Sequence, residues 1–334
     1  MNLNNLQGLK REVKDLGFNL KVADELEQHM RTDTKYFTLK DSLPGDTGQV
    51  DMTLHFSKSK ESDFYNFRKF EAVAGKIPLP TVENQHYMVL VADKDNPEKP
   101  FVNPFESPNE ALDFFKKQKG NSELALGDSG ESKQILASTE NGKVNYVNED
   151  FSQAFYGSGV KQNFYLSNGA GFTASHAANM VQGRTVYREN MINPKNGDVY
   201  NAWIKLDVAL GKDNYGNLKL KQMNDPNFGF NLEKTLDGFK IKELADPAKK
   251  EAVIAAMKNG DRVALMVINK ENKEVKLLVE AVPQYKTLDF YKENGAKEKR
   301  ELYKKPEAAE QSQGKSQGKS KDKDLEETKS MSIR

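Results

Sequence analysis

The residues of this chain whose types and spacing come nearest to a known chemistry are Gly169-Ala170-Gly171-Phe172-Thr173-Ala174. They fit the G-x-G-x-x-A pattern of a dinucleotide-binding turn, where glycines let backbone N–H groups approach a pyrophosphate at a helix N-terminus. The turn follows a strand-like segment at 162–166 and opens a short helix. Glu189 lies about twenty residues further on, where a ribose contact would fall. Two features weigh against a phosphate cradle. The preceding strand is polar where a buried apolar run is needed, and a hairpin follows where a parallel crossover strand should come. The plainer reading is a helix entry with Thr173 as N-cap.

Other constellations are weaker. Gly127-Asp128-Ser129-Gly130 has the form of the nucleophile segment of chymotrypsin-like proteases, which also require an upstream His and Asp and an oxyanion-hole glycine. Here Glu131 follows, and none of His29, His55 or His86 has a matching context, so these residues read as a tight turn. The 4 histidines are scattered, with no pair at metal-ligand spacing. His55 lies on the outward face of its strand and His176 in the first turn of a helix, and both read as ordinary surface residues. Asp213 to Asn217 reads as a turn and not a calcium loop. Carboxylates number 49, and sequence does not say which of them converge. No cofactor and no metal is expected.

One binding signal remains. On the strand at 199–207 the apolar set is Tyr200, Ala202, Ile204 and Leu206. The single tryptophan, Trp203, therefore falls on the other face with Asn201, Lys205 and Asp207. An aromatic among polar groups suits a partner hot spot or a base-stacking platform, so Trp203, Asn201 and Lys205 form the candidate binding face. The bland alternative is that a helix of the same fold covers it.

The elements that would position these groups are legible from periodicity. Leu3, Leu6, Leu9, Val13 and Leu16, then Val22, Leu26 and Met30, mark two amphipathic helices, with Gly17 as the stop between them. Val50, Met52, Leu54 and Phe56 alternate with Asp51, Thr53 and His55, a half-buried strand whose hairpin partner is 64–73. Residues 78–156 change character. A compact strand at 86–92, a proline-marked loop, a helix around Ala111–Phe115 and short strands at 123–126, 134–138 and 143–147 make a small α+β unit. Asn141-Gly142 joins the last two. Beyond 162–166 come a helix at 173–182 stopped by Gly183, a hairpin around Asn196-Gly197, a strand at 218–222, helices at 232–239 and 247–258, and three final strands. Residues 292–305 carry six basic against three acidic residues, read as a solvated segment. From Lys297 the pattern dissolves, and from Pro306 the chain is rich in Gln, Ser, Lys and Glu with a tandem Ser-Gln-Gly-Lys, as in a disordered tail.

Composition bounds the function. Lys+Arg is 50 against Asp+Glu 49, so no global field draws the chain onto DNA or an anionic membrane. The absence of cysteine excludes thiol nucleophiles, thiolate metal sites and disulfides. Residues 1–17 lack an apolar signal core and no long apolar run occurs, so a cytoplasmic protein is expected.

Several phrases, in order, resemble a family of unknown function encoded in conjugative transposons and related mobile elements of Bacteroidetes. They are Met1-Asn-Leu-Asn-Asn-Leu-Gln7, LHFSKSKESDFYNF at 54–67, Phe164-Tyr-Leu-Ser-Asn-Gly-Ala-Gly171, Gly183-Arg184 and Tyr200-Asn-Ala-Trp-Ile-Lys-Leu-Asp207. Asn231-Leu-Glu-Lys234, Ile241-Lys-Glu-Leu244 and Glu280-Ala-Val-Pro-Gln-Tyr-Lys-Thr287 complete the set. In that family the strand at 64–73 runs quickly into the one at 162–166. Here about eighty residues intervene, which marks 78–156 as an insertion. His176 also stands where the family tends toward Glu, which removes the capping box. The resemblance implies a context of mobile DNA and carries no catalytic residues.

The chain is therefore expected to be α+β, with hairpin-built antiparallel sheets and short flanking helices. Its parts would be a helical hairpin and strand pair (1–77), the inserted α+β unit (78–156), an α+β domain (157–296) and a disordered tail (297–334). The expected function is that of a non-enzymatic accessory protein of a mobile element that binds a protein partner or nucleic acid. The alternative is an enzyme acting on nucleotides or nucleic acid through Gly169–Ala174.

Overall fold

The computed structural model describes all residues except Met1, Thr47, Lys76, Pro78, Leu79, Thr81, Glu83, Lys94, Asp95, Pro97, Glu98, Ser158, 168–170, Pro194 and 306–334. The chain divides into two units, one of Met1–Gly183 with Leu206–Leu220 and one of Arg184–Lys205 with Lys221 onward.

The first unit begins with α1 (Leu3–Asp15) and α2 (Leu20–Arg31). Asn2 caps α1 by accepting from the Asn5 N–H at 3.0 Å, and Gly17 takes φ 83° to end it. Leu6, Leu9 and Val13 of α1 and Val22, Leu26 and Met30 of α2 are buried, as their spacing predicts. They lie on one side of a sheet built from β1 (Tyr36–Gly45), β2 (Gly48–Lys58) and β3 (Tyr65–Ala74), α1 packing on β3 and α2 on β1. Phe56, Phe67, Phe70 and Phe164 fill that side, with Phe18 edge-on to Phe70 at 5.1 Å.

Next comes the inserted unit: β4 (His86–Val91), β5 (Phe101–Phe105), α3 (Pro108–Lys116), β6 (Ser122–Gly127), β7 (Lys133–Glu140), β8 (Lys143–Val147) and α4 (Ser152–Tyr156). Its five strands form a sheet of their own, ordered β5-β4-β6-β7-β8. Tyr87, Val89, Leu112, Phe115, Leu124 and Phe155 make a core beneath one face of it. The chain then returns in β9 (Val160–Tyr165), which pairs antiparallel with β3 from Lys69↔Tyr165 to Ala74↔Val160. The first sheet is thus β1-β2-β3-β9, and α5 (Ala174–Val181) packs on the same side as α1 and α2.

The second unit contains β10 (Val186–Ile192), the first half of β11 (Val199–Lys212), the end of β12 (Leu218–Asp225), α6 (Leu232–Asp237) and α7 (Pro247–Asn259). β13 (Val263–Ile268), β14 (Glu274–Val282), β15 (Thr287–Tyr291) and β16 (Lys297–Glu298) follow as one sheet in sequence order. Asp246 and Pro247 open α7 and Gly260, at φ 91°, closes it. Trp203, Phe230, Leu236, Met257, Leu277, Val279 and Phe290 belong to one core.

The fold is α+β with four antiparallel sheets, as the alternation and turn chemistry imply. Three expectations change. Residues 101–105 pair with β4 although read as loop, and 36–45, to which the sequence reading assigns no element, form the long edge strand β1. Residues 160–183, grouped by sequence with the chain up to 296, belong with β3, because β9 completes that sheet. Residues 297–305 are part of the second unit: Glu298 pairs with Phe290, Lys297 bridges Asp289 at 2.6 Å, and Tyr303 is buried against Phe290. The tail expected from Pro306 lies outside the described residues.

Candidate functional site

Because β2 buries Val50, Met52, Leu54 and Phe56, it must send Asp51, Thr53 and His55 to the opposite face of the first sheet. Directly opposed residues of antiparallel strands share a face. Register therefore assembles two rows there: Thr38–His55–Lys69–Tyr165, and beside it Lys40–Thr53–Glu71–Asn163. Tyr36 stands two residues before Thr38 and Lys161 four before Tyr165, so both project from this face too. Tyr36 is 59% exposed and Tyr165 57% exposed, at opposite edges of the sheet. Three strand spacings separate β1 from β9, about 14 Å.

Between the tyrosines the face is polar and structured. The Tyr36 hydroxyl and His55 Nδ1 are 2.6 Å apart, while His55 Nε2 is buried and hydrogen-bonded to none of the described residues. Burial holds the His55 pKa below the ordinary imidazole value, with Lys69 and Lys161 adding to the effect and Glu71 opposing it. His55 is thus a neutral ring at neutral pH. Lys69 Nζ donates to Asn163 Oδ1 at 3.1 Å, and Lys161 bridges Glu71 at 2.8 Å. One end of the face is closed by the inserted unit. Asp51 there accepts from Ser107 Oγ at 2.6 Å and Asn109 Nδ2 at 2.7 Å, and Lys40 pairs with Glu110. At the β9 edge, Asn217 Oδ1 accepts from the Asn163 backbone at 3.0 Å and from its side chain at 2.9 Å.

A groove of ≈ 1000 Å³ adjoins this face, between α1 and the ends of β3 and β9. Asn4, Gly8, Arg11, Glu12, Phe64, Arg68 and Tyr165 are among its lining residues, so Tyr165 belongs to both surfaces. Asn5 holds the wall together. Its amide accepts from the Tyr65 N–H at 2.7 Å and donates to the Tyr65 carbonyl at 3.0 Å, as a neighbouring strand would. The side chains of Arg11, Glu12 and Arg68 pair with none of the described residues. Burial raises the Glu12 pKa above the usual carboxylate value.

The structure redistributes the residues singled out by sequence. Trp203 is 3% exposed, its ring 4.9 Å from Tyr187 and edge-on to Phe230 at 5.4 Å. It is a core side chain, because segment 228–241 and α7 contribute Phe230, Leu236 and Met257 to the same cluster. Asn201 Oδ1 accepts from the Asn190 N–H at 2.9 Å, and Lys205 Nζ donates to Gln284 at 3.3 Å. Trp203, Asn201 and Lys205 therefore present no aromatic binding face. Of Gly169–Ala174, residues 169 and 170 lie outside the described residues. Thr173 caps α5, accepting from the His176 N–H at 3.1 Å without a capping box. The strand before it, β9, is an antiparallel edge strand, whereas a dinucleotide cradle follows a central parallel one. Gly127 ends β6 and Asp128–Gly130 lies in the β6–β7 connection, Ser129 Oγ accepting from the Ser132 N–H at 3.1 Å.

Tyr36, Lys69, Tyr165 and the groove were not found from sequence. The Phe37-x-Leu39 alternation, set opposite Val50–Phe56 across Asp46-Thr47-Gly48, is the signal that locates β1 and with it Tyr36. Nothing local places Tyr165 beside Lys69. Among the described residues no group of three or more His, Cys, Asp or Glu is arranged to hold a metal ion, and no helix is long and apolar enough to cross a membrane. Comparison with protein-family models, curated proteins and solved structures gives no match.

Proposed function

We propose that this chain is a non-enzymatic accessory protein of a mobile genetic element that binds single-stranded nucleic acid across the open face of the β1-β2-β3-β9 sheet. The observation that carries the reading is the pair of exposed tyrosines, Tyr36 and Tyr165, flanking Lys69 and His55 on a four-stranded antiparallel sheet. Exposed aromatics on such a sheet are a recurrent stacking surface for two or three unstacked bases, and stacking tolerates any sequence. Lys69 and Lys161 supply the phosphate contacts. With two cations, log K is expected to fall against log salt with a slope of about −1.4, shallower than for a duplex-tracking protein. That agrees with the neutral overall charge. The resemblance to the mobile-element family supplies the context of mobile DNA.

The second reading, a protein partner, is favoured by a different surface. Val102, Ile135 and Tyr146 are exposed on the outer face of the inserted sheet, in register with Leu90, Ala125 and Ser138.

The test is fluorescence anisotropy with a labelled single strand and the matching duplex at two salt concentrations. Submicromolar binding of the single strand, weaker binding of the duplex and a shallow salt slope are expected. No binding of the single strand at low salt would overturn the reading.

A further inference from the structure

We propose that the groove between α1 and the ends of β3 and β9 is a base-recognition pocket that takes guanine, with the Glu12 carboxylate as its acceptor. The inference rests on the single-strand reading and adds a preference that the open face alone does not give. Tyr165 joins the two surfaces, so a strand stacked on the sheet reaches the groove without leaving the protein.

Four observations point to a base. Glu12 is half-buried and pairs with none of the described residues, and a carboxylate withdrawn from water is costly until donors satisfy it. Phe64, 48% exposed, and Tyr165 both line the groove, so two aromatic residues border it. Arg11 and Arg68, paired with none of the described residues, are cations on its walls, suited to the flanking phosphates. Gly8 sits inside α1, where glycine weakens a helix relative to alanine. A Cβ there would meet nothing within 4 Å, so no packing in the fold asks for glycine. It leaves the groove floor open for the close approach of a ligand.

An extended peptide is the competing occupant, and the backbone disfavours it. Strand addition needs free main-chain groups along the edge. At Tyr65 both are taken by Asn5, and the Arg68 carbonyl accepts from the Leu166 N–H at 2.8 Å. Guanine, among the bases, fits the acid. Its Watson–Crick edge presents two adjacent donors, N1–H and N2–H, to the two carboxylate oxygens. Adenine and cytosine set a ring-nitrogen acceptor beside their single amine, and uracil flanks its one N–H with two carbonyls.

The experiment compares a labelled oligouridine with the same strand carrying one central guanosine, titrated by anisotropy against the full chain and against Glu12→Gln. The wild-type protein is expected to prefer the guanosine strand by about 5- to 150-fold, the range for one well-made bidentate base contact. Glu12→Gln should erase the preference, because its amide nitrogen opposes the guanine donors. Gly8→Leu, which fills the groove, should do the same. Equal affinity of the wild type for both strands overturns the pocket while leaving single-strand binding intact. A preference that persists in Glu12→Gln also overturns it, whereas failure to bind either strand removes the functional reading on which it rests.

Discussion

Replacing Trp203 by alanine tests where the second unit keeps its core. The indole is 3% exposed and packs between Tyr187, at 4.9 Å, and Phe230, at 5.4 Å. Removing a buried large aromatic costs roughly 3–5 kcal/mol, from lost burial together with the cavity left behind. The two ring pairs lie within that figure, each worth about 0.5–1.5 kcal/mol beyond area. For a domain with a urea slope of about 2 kcal/mol/M, the unfolding midpoint should fall by about 1.5–2.5 M. Urea titration followed by far-UV circular dichroism measures this. In the wild-type protein the fluorescence of Trp203, the single tryptophan, reports the same transition from inside the second unit. A loss below about 1 kcal/mol, the level of a typical substitution, would refute the core placement. It would return Trp203 to a surface role.

Further outcomes follow from the same contacts. Tyr187→Phe removes the 2.6 Å bond to Asp225 and should destabilise the protein by about 1.5–3 kcal/mol, as for hydrogen bonds to charged groups, read by the same urea titration. His55 has a folded pKa below its unfolded value, so the unfolded chain binds the extra proton first. Stability is then fully present above the unfolded pKa of about 6.5 and falls as the pH drops below it, levelling off below the folded pKa. Thermal unfolding of wild type and His55→Asn between pH 5 and 7 should show a slope in the former that is reduced in the latter. Tyr36, Lys69, Lys161 and Glu71 share the face with His55, so their charges should be kept constant in that comparison. Gly8→Ala should raise stability by about 0.5–1 kcal/mol through helix propensity alone, measured as a higher urea midpoint.

The sheet-forming segments were legible because their patterns are local. The alternation of Val50, Met52, Leu54 and Phe56 fixes both a strand and its buried face. Asn141-Gly142 supplies two residues with positive φ, 52° and 74°, as a tight hairpin turn requires. α1 and α2 announce themselves through apolar spacing and the stop at Gly17. What failed was long-range. β9 pairs with β3 across the inserted unit, and no property of Val160–Tyr165 names that partner. The residues of the open face therefore look like scattered polar positions until register aligns them. Trp203 misled for a related reason: alternation separates the two faces of β11 but does not reveal that both are covered at Ala202–Ile204. Lys297–Lys305 read as solvated because its charges dominate, although Tyr303 anchors it in the core and Lys297–Glu298 pair with β15.

The most direct test of single-strand binding on the open sheet face is the dissociation constant of a mixed-sequence single strand for the double variant Tyr36→Ala, Tyr165→Ala. Both rings are more than half exposed, so the variant should stay folded at the temperature of the assay, with only about 1 kcal/mol lost from the Tyr36–His55 bond. Loss of stacking at roughly 1–3 kcal/mol per base should weaken binding at least about 30-fold. An affinity within about threefold of wild type, with folding unchanged, would contradict the account.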